Sequence, residues 1–292
     1  MNPFLDYVCF ECLAKLASYL GRLAGRGVED AVITSAKLME GYSRAILTWL
    51  DDYVKLCKAV VEHTAKVVQG DPFMEVKEAS MTVASKLLPL AESYVRSGDE
   101  LERAVKVAVA ANALDFGTGV YSVDLREFEA GFLRKVEAPL VINDVAELEE
   151  AVQGADTILY VLDNAGECVL DLPLVRALSD YARVIVAARG GPVLNDATIV
   201  EAERAGLARY AELITTGARL PCISLEDCSP EFRKVLADAD VAVLKGQGNF
   251  QSFYEVLKIR RKPTFYLFTP KCRPVAKLIN ADVGALVAYR YR

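Results

Sequence analysis

A single histidine, His63, serves all 292 residues. It lies in an amphipathic helical stretch and reads as a surface or core residue, so mechanisms built on a Ser-His or Cys-His pair have no support. Basic residues are not in excess. The 34 Lys and Arg against 40 Asp and Glu give a net charge of -6, which excludes a general nucleic-acid binder, because phosphate affinity needs clustered cations. No apolar run approaches the roughly 18 residues of a membrane span. The start, Met1-Asn-Pro-Phe-Leu-Asp6, has neither the basic region nor the cleavage pattern of a secretory leader, so a cytoplasmic protein is expected. Seven cysteines, an odd number spread along the chain, do not make a disulfide framework. Cys9-Phe-Glu-Cys12 puts two thiols on one helical face, but no second pair occurs at zinc-site spacing, so it reads as packing or a redox-labile pair.

The residues that are present divide in two. From Phe4 to about Lys135, apolar residues recur at helical spacing, broken at Gly25 to Gly27, Gly70-Asp71-Pro72 and Ser97-Gly98-Asp99. Four or five helices are expected there. Beyond Ala138-Pro139 come short apolar runs, Thr157 to Leu162, Arg183 to Ala188, Glu212 to Thr215, Asp240 to Leu244, Thr264 to Phe268 and Val283 to Ala288, with Pro139 to Ile142 as a further candidate. Helical patterns separate most of them. That alternation predicts an α/β fold with a mainly parallel sheet covered on both faces. The expected division is a helical domain at 1–136 and an α/β domain at 137–292.

In such a sheet, ligands bind at the carboxyl ends of the strands, so the residues just after each apolar run matter most. The first run ends in Asp163-Asn164-Ala-Gly-Glu167 and the second in Arg189-Gly190-Gly191-Pro-Val-Leu-Asn195-Asp196. Lys245-Gly246-Gln247-Gly248-Asn249 comes after the fourth and Thr269-Pro-Lys271-Cys272 after the fifth. Asp163, Asn164 and Asp196 are hard oxygen ligands of the kind that hold Mg²⁺ or Mn²⁺. Lys245 with its glycines reads as a phosphate cradle, and Arg189 and Lys271 add charge. Each element alone has a plainer reading, as a turn, a helix cap or a solvated lysine. The combination points to phosphoryl chemistry.

Taken together with Asp71-Pro72-Phe and Asn112-Ala-Leu-Asp115-Phe-Gly117 upstream, these motifs resemble the metal-dependent damage-control phosphatases, once catalogued as domain of unknown function 89, in their stand-alone prokaryotic form with an N-terminal Cys-x-x-Cys. The resemblance implies an all-helical N-terminal portion joined to a Rossmann-like α/β/α sandwich. It also implies one divalent ion, Mn²⁺, Mg²⁺, Co²⁺ or Ni²⁺, held by Asp163, Asn164 and Asp196. The implied reaction is hydrolysis of small phosphate monoesters, sugar phosphates or damaged phosphometabolites. Arg189 stands where many members have lysine, and Gln251 where an acid is common. Lys245, Gly246, Gly248, Asn249, Asn112, Arg189, Gly190 and Lys271 are then expected at the substrate. Proton transfer falls to Asp115 or Glu167, and direct attack by Asp163 is the alternative to attack by water. Two rivals remain open: an S-adenosylmethionine-dependent methyltransferase, against which the acidic, glycine-poor first loop speaks, and a non-catalytic metal or phosphometabolite sensor. The oligomeric state is left open.

Overall fold

A computed structural model describes residues 3–112 and 125–292. Six helices come first: α1 (Val8–Ala24), α2 (Val28–Thr48), α3 (Tyr53–Val67), α4 (Met74–Arg96), α5 (Glu100–Ala111) and α6 (Leu125–Glu137). One more break occurs than the glycines announce, at Trp49–Asp52, where the Asp52 carboxylate accepts a hydrogen bond from Lys55 N at 3.0 Å and starts α3. Asp99 starts α5 in the same way, accepting from Glu102 N at 2.8 Å.

Strands and helices then alternate: β1 (Leu140–Asn143), α7 (Val145–Gln153), β2 (Thr157–Val161), α8 (Glu167–Ser179), β3 (Arg183–Ala188), α9 (Ile199–Arg204) and β4 (Ala211–Thr215). The second half continues with α10 (Pro230–Asp238), β5 (Val241–Lys245), α11 (Gly246–Gln251), α12 (Phe253–Ile259), β6 (Thr264–Phe268), α13 (Arg273–Leu278) and β7 (Leu286–Arg290). The seven strands form one sheet in the order β1-β7-β6-β5-β2-β3-β4. From β6 through β4 all pairings are parallel, whereas β7 runs antiparallel to β6 and carries β1 parallel to itself. The chain leaves β2 toward β3 and β4, then returns to the other side of β2 for β5 and β6. The carboxyl ends of β2 and β5 are therefore the point where strand order reverses, the place a ligand crevice forms.

The period of two along each strand sends its side chains into two different cores. Ile158, Tyr160, Val184, Val186, Val243 and Leu267 join the core packed by α4, α5, α7 and α8. Their neighbours Leu159, Val161, Ile185, Ala187, Leu244 and Phe268 face the opposite core, with Phe232, Phe250 and Val256. Each such aliphatic or aromatic burial stabilises the fold by about 1.5–3 kcal/mol. Helices α4 and α5 belong to the first of these cores, so the expected boundary at 136/137 runs through shared packing. A third cluster, built by α1, α2 and α3, stands apart from the sheet cores. It is linked to the sheet through α3, whose Tyr53, Val54, Cys57 and Val61 pack on the second core, and through Leu194 of the loop after β3, which packs on the third cluster. Phe4 is driven into that core edge-on to Tyr53, Phe250 and Phe253 at 5.6–6.0 Å, which fixes the start of α1 beside α11. No helix among the described residues is long and apolar enough to cross a membrane.

Candidate active site

The two acidic loops meet because β2 and β3 are neighbours and their continuations zip together. Ala197 N donates to Asp163 O at 2.7 Å, Ala165 N to Asn195 O at 2.9 Å, and Asn164 and Asp196 form an isolated bridge. Backbone pairing thus sets three expected metal ligands side by side. Asp163, Asn164 and Asp196 are all buried and line one end of a cavity of about 330 Å³, together with Asn195, Gln247, Gly248, Gln251 and Lys271. Lys271 is the cationic side chain on that lining among the described residues.

Behind this surface lies a buried network that orients it. Asn112 ends α5 and donates from Nδ2 to Asp163 Oδ2 at 2.9 Å and to Glu167 Oε1 at 2.7 Å, while its Oδ1 accepts from Thr269 N at 3.0 Å. Asn164 Nδ2 donates to Asp163 Oδ2 at 3.1 Å and Glu167 Oε1 at 2.5 Å, which leaves its oxygen as the atom for a ligand in the cavity. Lys245 is wholly buried and donates to Glu167 Oε2 at 2.9 Å and Asp171 Oδ1 at 2.6 Å. This corrects the expectation of a phosphate-cradling Lys245, because two carboxylates behind the cavity hold its ammonium. Glu167, with both oxygens accepting and no exposure, is likewise a positioning residue and is not placed to move a proton to substrate.

Arg189 is also turned inward. Its Nε donates to Asp196 Oδ2 at 2.7 Å, Nη1 to Asn249 Oδ1 at 3.0 Å and Nη2 to Pro221 O at 3.0 Å, with Asp163 Oδ1 4.0 Å from Nη2. Asn249 Nδ2 donates to Lys245 O at 2.6 Å and Leu162 O at 3.2 Å, tying β5 to β2. Gly190 N donates to Ala218 O at 2.8 Å rather than to a ligand. Gly246 has φ +80°, and a Cβ there would overlap the Asp163 carboxylate, so its glycine lets the acid settle over the start of α11. Asn112 and Arg189 therefore brace the acids from behind, Asn249 holds Arg189, Gly246 leaves room for Asp163 and Gly190 is turned toward Ala218, while Gly248 and Lys271 reach the cavity. Asp115 lies outside the described residues.

Asp171 was not anticipated, although a signal existed. It stands four residues after Glu167 in the otherwise apolar helix α8, so the two acids share one face and meet the same lysine. Its Oδ1 also accepts from Tyr160 Oη at 2.9 Å, and burial pushes the carboxyl up to about 6 against the opposing pull of Lys245. Burial first, then Glu167 and Asp196, hold Asp163 well above the usual carboxylate range, and Lys271 and Arg189 only partly offset them.

The donor chemistry tests whether a metal fits. Asp163, Asp196, Glu167 and Asp171 are buried together with the cations Lys245 and Arg189. Two carboxylates with an amide oxygen are donors that suit a hard cation which keeps positions for water and phosphate. Among the described residues no three acidic, histidine or thiol side chains form a group that could hold a metal ion, so a ligand set at this place would have to include the amide of Asn164.

The sequence matches the damage-control phosphatase ARMT1-like domain over residues 30–287. A damage-control phosphatase of Pyrococcus horikoshii, PH1575, is 34% identical over 97% of this chain and 98% of its own. One from Archaeoglobus fulgidus is 36% identical over 75% of each. The crystal structure of the P. horikoshii DUF89 family protein superposes with a TM-score of 0.83 and 29% identity, covering 99% of both chains. The site at the β2/β5 reversal is thus carried by a member of the damage-control phosphatase ARMT1-like (DUF89) family.

Proposed function

We propose that this chain is a divalent-metal-dependent phosphatase that hydrolyses small phosphate monoesters. The observation that carries the reading is the side-by-side placing of buried Asp163, Asn164 and Asp196 at one end of a cavity whose wall also bears Lys271. The family relation supports hydrolysis of a phosphate ester. Bound by Asp163, Asn164 and Asp196, a divalent ion supplies Lewis-acid polarisation of a phosphoryl oxygen and a more acidic water. Lys271 neutralises charge on the phosphoryl group from the cavity wall. Asn112 and Glu167 hold Asp163 and Asn164 in one orientation, so little reorganisation is needed when charge moves.

The test is phosphate release from p-nitrophenyl phosphate and a sugar-phosphate panel, with chelated protein and with Mn²⁺, Mg²⁺, Co²⁺ or Ni²⁺ added singly. Metal-dependent turnover that Asp163→Ala and Asp196→Ala abolish is expected. Turnover indifferent to chelation, or surviving both substitutions, would overturn the reading.

A further inference from the structure

The cavity that begins at the acidic loops extends a long way beyond them, and its far wall is of a different chemistry. Leu16 and Leu20 of α1, Leu56 and Val60 of α3, and Val68 and Phe73 line it. Among the described residues the polar side chains on that wall are few, Tyr53, Thr64 and Asp71, and the last two have partners within the protein. Thr64 Oγ1 shares a 2.6 Å hydrogen bond with Tyr42 Oη and donates to Val60 O at 2.8 Å. Asp71 accepts from Lys77 Nζ and from Phe73 N, each at 3.0 Å. The remaining lining there includes the thiols of Cys9, Cys12 and Cys57, which are weak hydrogen-bonding groups.

A sugar body placed against the leucine, valine and phenylalanine lining would meet few hydroxyl partners there among the described residues, and each buried, unmatched hydroxyl costs about tenfold or more in affinity. An apolar body meets no such cost and gains from burial. At 330 Å³ the cavity has the size of a small-ligand site, larger than a phosphate group needs. We propose that the substrate is an amphiphilic phosphomonoester. Its phosphate lies at Asp163, Asn164, Asp196 and Lys271, and a slender, largely apolar body runs between α1 and α3. The proposal rests on the phosphatase reading and narrows its substrate class away from sugar phosphates.

The experiment uses the unaltered, metal-loaded chain and a series of n-alkyl phosphates from methyl to octyl, with hexose phosphates alongside, read as inorganic phosphate released. The expected result is a rise in kcat/KM of about fourfold per methylene, the value of burying one such group, until the cavity is full. Hexyl phosphate should exceed the hexose phosphates at least a hundredfold. Leu13→Asn and Val61→Thr, at half-buried lining positions, should flatten the rise with chain length. A flat or falling series, or better turnover of hexose phosphates, overturns the amphiphile and leaves the phosphatase standing. No turnover of any phosphate with any metal removes both.

Discussion

Replacing Lys245 by methionine separates two roles that a strand-end lysine can have. The substitution shortens the side chain by one atom and removes the cation from between Glu167 Oε2 and Asp171 Oδ1, at 2.9 and 2.6 Å, in a buried place. Breaking a buried ion pair from one side costs about 3–5 kcal/mol, because the remaining charge is left unpaired. Total stabilities are only about 5–15 kcal/mol, so the effect is large. With an m-value of about 3 kcal/mol per molar urea, the unfolding midpoint should fall by roughly 1–2 M. The loss should depend on pH in a definite direction. Asp171 is raised to about 6 in the folded chain, so the folded form binds its proton more tightly than the unfolded form does. Its contribution is most favourable below its unfolded value and declines as pH rises through about 6, by up to about 1.4 kcal/mol per unit. Without Lys245 the carboxyl rises further, so the deficit of the variant should grow from mildly acidic to neutral pH. Adding Asp171→Asn should recover part of it. If Lys245→Met unfolds at the parental urea midpoint near neutral pH and instead raises KM for phosphate esters, the lysine serves substrate and the buried-triad argument fails.

The same network has other consequences. Gly246→Ala forces a Cβ into the Asp163 carboxylate at φ +80°, so kcat should drop at least a hundredfold, with about 1–3 kcal/mol of lost stability from the strained backbone; activity within threefold of the parent would show that Asp163 need not sit where it does. Because Asp163 holds its proton well above the ordinary carboxylate range, proton and metal compete, and metal affinity should rise about tenfold per pH unit until that carboxyl is ionised. Calorimetry in two buffers of different ionisation heat should show about one proton released, and a pH-independent affinity would contradict the competition. Asp52→Ala removes the cap of α3 and should cost about 0.5–2 kcal/mol by thermal or urea unfolding.

Periodicity made the sheet legible. Strands β3 and β6 coincide with apolar runs because both faces are buried and nothing polar interrupts them. What periodicity cannot carry is direction. Strand β7 reverses after α13 and recruits β1, a property of the connection and not of either strand's side chains. The acidic loops were readable for a local reason, since Asp163 and Asp196 lie in the loops that follow two adjacent parallel strands. The partners of the basic residues were not. Lys245 and Arg189 look from sequence like exposed strand-end cations, and only the position of α8 under β5 shows that Glu167 and Asp171 claim the first. The α2/α3 break at Asp51-Asp52 lacks glycine and proline, so the sole mark was an acid ahead of a helical run.

The two residues that the resemblance marks as unusual, Arg189 and Gln251, each have definite contacts in this arrangement. Arg189 distributes one planar fork over Asp196, Asn249 and the carbonyl of Pro221, three partners in different directions. A lysine has a point charge and no such fork, so arginine here links the acid of the β3 loop to the β5 loop and to residue 221 at once. Gln251 is the other case. Gln247 Nε2 donates to Gln251 Oε1 at 3.1 Å, while Gln247 Oε1 accepts from Lys271 N at 2.7 Å, so the amide pair holds the segment that carries Lys271. An acid at 251 would add a negative charge to the cavity lining beside the segment that carries Lys271. The amide leaves that position uncharged while keeping the hydrogen bond from Gln247.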